Sequence, residues 1–130
     1  MAEHSNVEVV RRGYDAFSKG DFAALGDVFA DDVVWHVAGP GPLAGDYEGR
    51  DAVYGLFAEL MKQTDGNFRL DVHDVLANDD HAVALVTASG TRGGKSLESQ
   101  NAHVFHMRDG RVSEYWAATT DPESELAFWS

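Results

Sequence analysis

The chain has 130 residues, of which 44% are hydrophobic and 11% aromatic, as expected for one globular domain spanning residues 1–130. Its net charge of −12 and its ten lysines and arginines argue against a nucleic-acid partner. The sequence contains no cysteine, which excludes disulfides, thiol nucleophiles and thiolate metal sites. No apolar stretch suits a signal segment or a membrane span, so we expect a soluble cytoplasmic protein without a membrane partner.

The first half of the chain is predicted to be mainly helical. Apolar residues at helical spacing predict a helix over Ser5–Lys19, with Ser5 as its N-cap and Glu8 completing a capping box. Asp21 is placed to cap a second, shorter helix over residues 22–29. A third helix is predicted over residues 51–63.

The rest of the chain reads as strands separated by turns. The Gly/Pro-rich stretch 38–45 predicts a shaped loop between the second and third helices. Helices followed by a run of strands predict an α+β fold, with the helices covering one face of a curved antiparallel sheet. The predicted strands span residues 33–37, 68–76, 82–91, 97–107 and 112–120.

The last strand pair carries the clearest functional signal. Asp109-Gly110 is a two-residue hairpin turn, which predicts pairing of Met107 with Val112 and then a regular ladder. Polar groups on an otherwise apolar face need partners, and a small-molecule pocket is one way to supply them. Strand alternation predicts one shared face for Asn101, His103, Phe105, Met107, Val112, Glu114 and Trp116.

The opposite face of the same strands is apolar as well. The predicted register places Val83, Leu85, Val104 and Tyr115 there, and no predicted helix is left to cover them. An uncovered apolar sheet face favours association, so we expect a homodimer through the outer sheet face.

Three segments resemble one known family. They are Gly20-Asp21-Phe22 with Phe29-Ala30-Asp31-Asp32-Val33 and Trp35, then Ala44-Gly45 with Gly49-Arg50-Asp51-Ala52-Val53, and finally Asp109-Gly-Arg-Val-Ser-Glu-Tyr-Trp116. Together they resemble the SnoaL-like polyketide cyclase group, within the superfamily of nuclear transport factor and ketosteroid isomerase folds. The resemblance implies a cone-shaped α+β barrel in which a curved sheet and three helices enclose a deep pocket.

The resemblance transfers catalytic positions only in part. The base of the steroid isomerases falls on Val37, which cannot accept a proton, and one of their oxyanion-stabilising groups falls on His103. The cyclases resembled here use an aspartate soon after a tryptophan position on the last strand. In this chain Trp116 is followed by Ala117 and Ala118, and Asp121 comes later.

Three residues are therefore candidates for catalysis. His103 can exchange protons near neutral pH, or it can be a structural histidine that shapes the pocket. Glu114 can orient His103, or it can be a structural acid paired with Arg11 or Arg12. Asp121 can be a relocated base, or the N-cap of a short C-terminal helix that begins at Pro122.

The remaining candidates would contact substrate, each with plain core packing as the alternative interpretation. No cofactor is implied, since phosphate-binding loops and dinucleotide fingerprints are absent. No metal is expected, because His103 and His106 are predicted on opposite faces of their strand. The candidate binding residues are Tyr14, Phe17, Trp35, Val37, Tyr54, Phe57, Met61, Asn101, Phe105 and Trp116.

Two classes of function fit these observations. One is a SnoaL-like enzyme that moves a proton beside the carbonyl of a small apolar substrate, giving isomerisation, aldol-type cyclisation or dehydration. The other is a non-catalytic module of the same fold, used for binding a small apolar ligand or for dimerisation. An open cavity that holds His103 and a second titratable group within hydrogen-bond reach would favour the enzyme.

Overall fold

A computed structural model describes residues 4–130, and in it a curled, unclosed sheet is covered on its concave side by helices. The expected α+β cone is confirmed. The elements are α1 (Ser5–Lys19), α2 (Phe22–Val28), β1 (Phe29–Val37), β2 (Gly45–Glu48), α3 (Arg50–Gln63), β3 (Arg69–Ala77), β4 (His81–Arg92), β5 (Lys95–Arg108), β6 (Arg111–Thr119) and α4 (Pro122–Trp129).

The six strands lie in the order β2-β1-β6-β5-β4-β3. All neighbours are antiparallel except β1 and β6, which run parallel, so the expectation of a wholly antiparallel sheet is wrong at this one contact. Strand β2 was not predicted and pairs with β1 through the loop 38–44. Among the helices of residues 4–130, none is both long and apolar enough to cross a bilayer.

Helix ends follow the local sequence with one exception. Asp21 caps α2 as predicted, accepting a hydrogen bond from the Ala24 amide at 3.1 Å. The predicted cap at Ser5 is wrong, because Ser5 is already the first residue of α1. His4 is the N-cap instead, and its ring Nδ1 accepts from the Asn6 amide at 3.1 Å.

Small residues of β4 let the helical layer approach the sheet. Its inward side chains are Ala82, Ala84, Val86 and Ala88, all buried, and α1 packs against this strand and β3. Arg50 then fixes α3 to the start of β1. Its guanidinium donates to the carbonyl oxygen of Phe29 at 2.7 Å and forms an ion pair with an aspartate of β1 at 2.7 Å.

A β-bulge separates the predicted and observed registers of β5 and β6. The Asp109-Gly110 turn has positive φ at both residues, and Met107 pairs with Val112 as predicted. Ser113 is then an extra residue in β6, so Phe105 pairs with Tyr115 rather than with Glu114.

This single extra residue reverses the direction of every later side chain of β6. Tyr115 points into the core, where it is 8% exposed, so its predicted place on the outer face is wrong. Glu114 and Trp116 lie on the outer face, contrary to prediction. Of the predicted outer residues, Val83 and Val104 are half-buried and Leu85 is 42% exposed.

Candidate functional site

A cavity of about 310 Å³ lies between the helices and the concave face of the sheet. This volume is at the lower end of the range for small-molecule sites, roughly 300–1,000 Å³. Most of the walls are apolar or aromatic. The loop 38–44 and helix α4 border the cavity, and they approach each other at Gly41, where a β-carbon would stand 3.2 Å from the Leu126 side chain.

His103 and Tyr14 form the polar pair in the buried part of this cavity. The Tyr14 hydroxyl oxygen lies 2.5 Å from Nδ1 of His103, and the two rings stack with centroids 5.9 Å apart. His103 is 5% exposed, and its Nε2 has no hydrogen-bond partner within residues 4–130. Burial lowers the pKa of His103 to about 4, so the imidazole is neutral at pH 7. Burial also raises the pKa of Tyr14 well above its usual value.

Tyr115 supplies a third polar group beside this pair. Its ring lies 5.2 Å from the His103 ring and stacks on Trp35 at a centroid distance of 3.7 Å. Its hydroxyl makes no hydrogen bond to any described residue. Burial, followed by the nearby charge of Glu125, raises the pKa of Tyr115, so the phenol keeps its proton.

A second polar group of residues lies toward α4. The Asn101 side-chain nitrogen donates to Oε1 of Glu125 at 3.1 Å, and both residues line the cavity. Ser99 and Thr119 continue this polar strip, with their hydroxyl oxygens 3.1 Å apart. The cavity therefore has two groups of polar residues, one around His103 and one around Asn101 and Glu125.

The structure brings most of the sequence-predicted site residues together and leaves five outside. Eight line the cavity: Tyr14, Phe17, Trp35, Val37, Phe57, Asn101, His103 and Phe105. The five that do not line it are Glu114, Asp121, Tyr54, Met61 and Trp116.

Glu114 and Trp116 are excluded by the bulge in β6. The Glu114 carboxylate binds His36 at 2.6 Å and His106 at 3.3 Å on the outer face, and it contacts neither His103 nor an arginine of α1. Trp116 stacks on His36 with centroids 5.1 Å apart. Both placements correct the register predicted from the turn alone.

Asp121 takes the capping role that was the alternative interpretation. Its Oδ1 accepts from the Ser124 amide at 3.1 Å, and this hydrogen bonding lowers its pKa. Tyr54 stacks on Phe22 between α3 and α2, with centroids 5.1 Å apart. Met61 packs against the core from α3.

Many cavity residues were not predicted as part of the site, among them Tyr115 and residues of α4. Tyr115 was predicted on the outer face because a regular ladder was assumed, and the bulge turns it inward. Glu125, Leu126 and Trp129 come from α4. Their 3.6-residue spacing with Pro122 marks one helix face, but the sequence does not indicate that this face points at the cavity.

The cavity combines hydrogen-bond donors, an acceptor carboxylate and aromatic walls, which are features shared with small-molecule sites. Within residues 4–130, no three His, Asp or Glu side chains converge as metal ligands would.

A known protein family matches most of this chain. The model of the SnoaL-like domain matches residues 10–115. The chain belongs to the SnoaL-like domain family. A protein of Mycobacterium tuberculosis named only as uncharacterized is 31% identical to this SnoaL-like chain over 131 residues, covering all of both chains.

Solved structures share the same SnoaL-like fold. Bal32a, from a soil-derived mobile gene cassette, is 34% identical, covers 97% of each chain and superposes with a TM-score of 0.93. IdmH, a putative polyketide cyclase from Streptomyces antibioticus, is 22% identical, covers 91% of this chain and 94% of its own, and has a TM-score of 0.74. The likeness to IdmH shows the fold alone.

Proposed function

We propose that this protein is an enzyme that transfers a proton beside the carbonyl group of a small, mostly apolar substrate. Isomerisation, aldol-type cyclisation and dehydration all begin with that step. Membership of the SnoaL-like family and likeness in fold to a putative polyketide cyclase are consistent with such chemistry.

The contact between Tyr14 and His103 carries the proposal. Two titratable groups lie 2.5 Å apart in an apolar cavity, and the free Nε2 of His103 has no partner within residues 4–130. A buried structural histidine normally has both ring nitrogens satisfied. One unsatisfied nitrogen beside an open cavity instead suits a ligand atom.

His103 is suited to donate a hydrogen bond rather than to act as a strong base. If the Tyr14 hydroxyl donates to Nδ1, the neutral ring carries its proton on Nε2. An N–H there and the Tyr115 hydroxyl can both donate to a carbonyl oxygen. Such donors, fixed in a low-dielectric cavity, stabilise the negative charge that develops on the oxygen in the transition state.

The test is exchange of hydrogen for deuterium at the carbon next to a ketone, followed by proton NMR in D2O. A suitable panel is 2-tetralone, 2-indanone and 1-acetonaphthone. The wild-type protein should accelerate exchange in at least one of them. His103→Phe should reduce that rate by about 10²–10³-fold, since one oxyanion donor is lost.

His106→Phe is the matched control. His106 lies on the same strand, β5, but on the outer face, so exchange should be unchanged in this variant. Tight binding of the same ketones without any exchange would favour the alternative function, a non-catalytic binding module.

The outer face of the sheet is proposed as the interface of a homodimer. Leu85 and Leu76 are 42% and 56% exposed there, and Trp116 now joins this face in place of Tyr115. Exposed apolar residues on an uncovered sheet face favour burial against a second copy. Light scattering should give a dimer mass at micromolar concentration for the wild type and a monomer mass for Leu85→Asp.

A further inference from the structure

Helix α4 is fixed at both ends, which sets the face that it turns to the cavity. Asp121 caps its start. At its other end Arg92 and Lys95, which flank the turn between β4 and β5, donate to the last carbonyl oxygens of the chain at 2.9–3.1 Å. Phe128 is buried beneath the helix. These contacts oppose rotation of α4 about its axis.

The face held toward the cavity carries one ionisable group, Glu125. Its neighbours on that face are Pro122, Leu126 and Trp129. Glu125 is half-buried, and within residues 4–130 no Lys, Arg or His forms an ion pair with it.

The position of Glu125 relative to His103 follows from Asn101. Glu125 accepts a hydrogen bond from the Asn101 side chain at 3.1 Å. Asn101 and His103 are two residues apart on the same face of β5, a separation of about 7 Å along a strand. Glu125 and His103 both line the cavity, so one small molecule in it can contact both.

The chain otherwise lacks a matched base. Val37 stands at the steroid isomerase position and Asp121 serves as a helix cap. A neutral imidazole held by Tyr14 is a weak proton acceptor, whereas a carboxylate at the edge of an apolar cavity is a suitable one. We propose that Glu125 is the catalytic base of the cavity, acting on a ketone whose oxygen is bound by His103 and Tyr115. This inference rests on the function proposed above.

The proposed step conserves atoms and electrons. A Glu125 carboxylate oxygen takes the proton from the carbon beside the carbonyl, and the C–H bonding pair becomes the carbon–carbon π bond of an enolate. The carbonyl π pair moves onto oxygen, where His103 and Tyr115 donate hydrogen bonds. Glu125 then returns the proton to the same carbon or to a conjugated one, and the carboxylate is restored.

The experiment compares Glu125→Gln with Glu123→Gln, using exchange of 2-tetralone, 2-indanone and 1-acetonaphthone in D2O and binding of 2-naphthol as an enol-like probe. Glu123 lies on the same helix but is exposed, so its variant is the control. Glu125→Gln keeps an oxygen for Asn101 but cannot accept the proton. Exchange should fall by about 10²–10⁴-fold while 2-naphthol affinity changes by less than about threefold.

Glu125→Asp tests the same point without removing the charge. It keeps the carboxylate but shortens its reach by one methylene, so its exchange rate should lie between those of the wild type and Glu125→Gln. A wild-type rate in Glu125→Gln would overturn Glu125 as the base and leave the proposed function standing. Parallel loss of exchange and 2-naphthol binding would also overturn it, because Glu125 would then serve binding. Lack of exchange in the wild type with all three ketones would overturn both proposals.

Discussion

The two faces of the sheet shift the pKa of a histidine in opposite directions. On the inner face His103 is 5% exposed, its only hydrogen-bond partner among the described residues is the Tyr14 hydroxyl, and burial lowers its pKa to about 4. On the outer face the His36 side chain is 25% exposed and lies between Asp46 and Glu114, each 2.6 Å away. Hydrogen bonds to Asp46 and then Glu114 raise its pKa.

Burial lowers the pKa of one histidine, and carboxylate neighbours raise the pKa of the other. Both residues sit on strands near β6, and both stack against an aromatic ring. His103 faces a hydroxyl and apolar walls, so its neutral form is favoured. His36 faces two carboxylates, so its cationic form is favoured.

The largest effect is expected from Tyr115→Asp, at the position that the bulge turns inward. The substitution would remove the ring that stacks on Trp35 and would bury a carboxylate among apolar groups. The free energy of unfolding should fall by at least about 3 kcal/mol, measured by urea denaturation.

Ser113→Ala, two residues away, is the control for that substitution. It keeps the bulge and loses only the hydroxyl's hydrogen bond to the His106 carbonyl oxygen, at 3.2 Å. This substitution should lower the free energy of unfolding by only about 1 kcal/mol. If Tyr115→Asp were as stable as Ser113→Ala, Tyr115 would not be the buried side chain that the bulge turns inward.

The next largest effect concerns acid stability and His103. Its pKa is 6.5 as a free group and about 4 in the folded chain, so the unfolded chain binds more protons between these values. His103 therefore contributes its full share to the free energy of unfolding above pH 6.5. As the pH falls to 4, up to about 3 kcal/mol of that stability is lost. His103→Gln should lose correspondingly less stability over this range in urea titrations. Identical acid losses in both proteins would contradict the lowered pKa.

The smallest effect is expected on the outer face, from His36→Gln. Because the pKa of His36 is raised in the folded chain, the stability that its ion pairs contribute is complete below pH 6.5. That stability is lost as the pH rises through the pKa of the folded chain. The variant should therefore lose less stability than the wild type between pH 6 and pH 9.

Thermal melts at low and high salt would check this prediction, since salt screens ion pairs that are open to solvent. His81→Gln is the control, because among the described residues His81 forms no ion pair. A pH dependence that shifts equally in both variants would show that His36 is not its source.

Much of the fold was predictable because its signals are local. Helical spacing gave α1 and α3, and the Asp109-Gly110 turn gave the hairpin of β5 and β6. Alternation along β5 placed His103 inside and His106 outside without any long-range information. The bulge at Ser113 was not predictable, because it depends on how β6 packs against β1 and β5 together.

The candidate site was only half predictable for a related reason. His103 and Tyr14 come from patterns within β5 and α1, but their contact joins residues far apart in the chain. Glu125 belongs to the site only because Arg92 and Lys95 hold α4 against the sheet. Interactions of this kind are set by tertiary packing, which composition and spacing do not report.

The three tryptophans occupy three different regions, so the chain carries its own optical probes. Trp35 stacks on Tyr115 in the cavity wall, Trp129 packs against Phe68 from α4, and Trp116 stacks on His36 outside. Variants that keep one tryptophan would report separately on ligand entry, on movement of α4 and on the charge of His36. In the variant that keeps only Trp116, fluorescence should follow the titration of His36, because a protonated imidazole quenches indole emission.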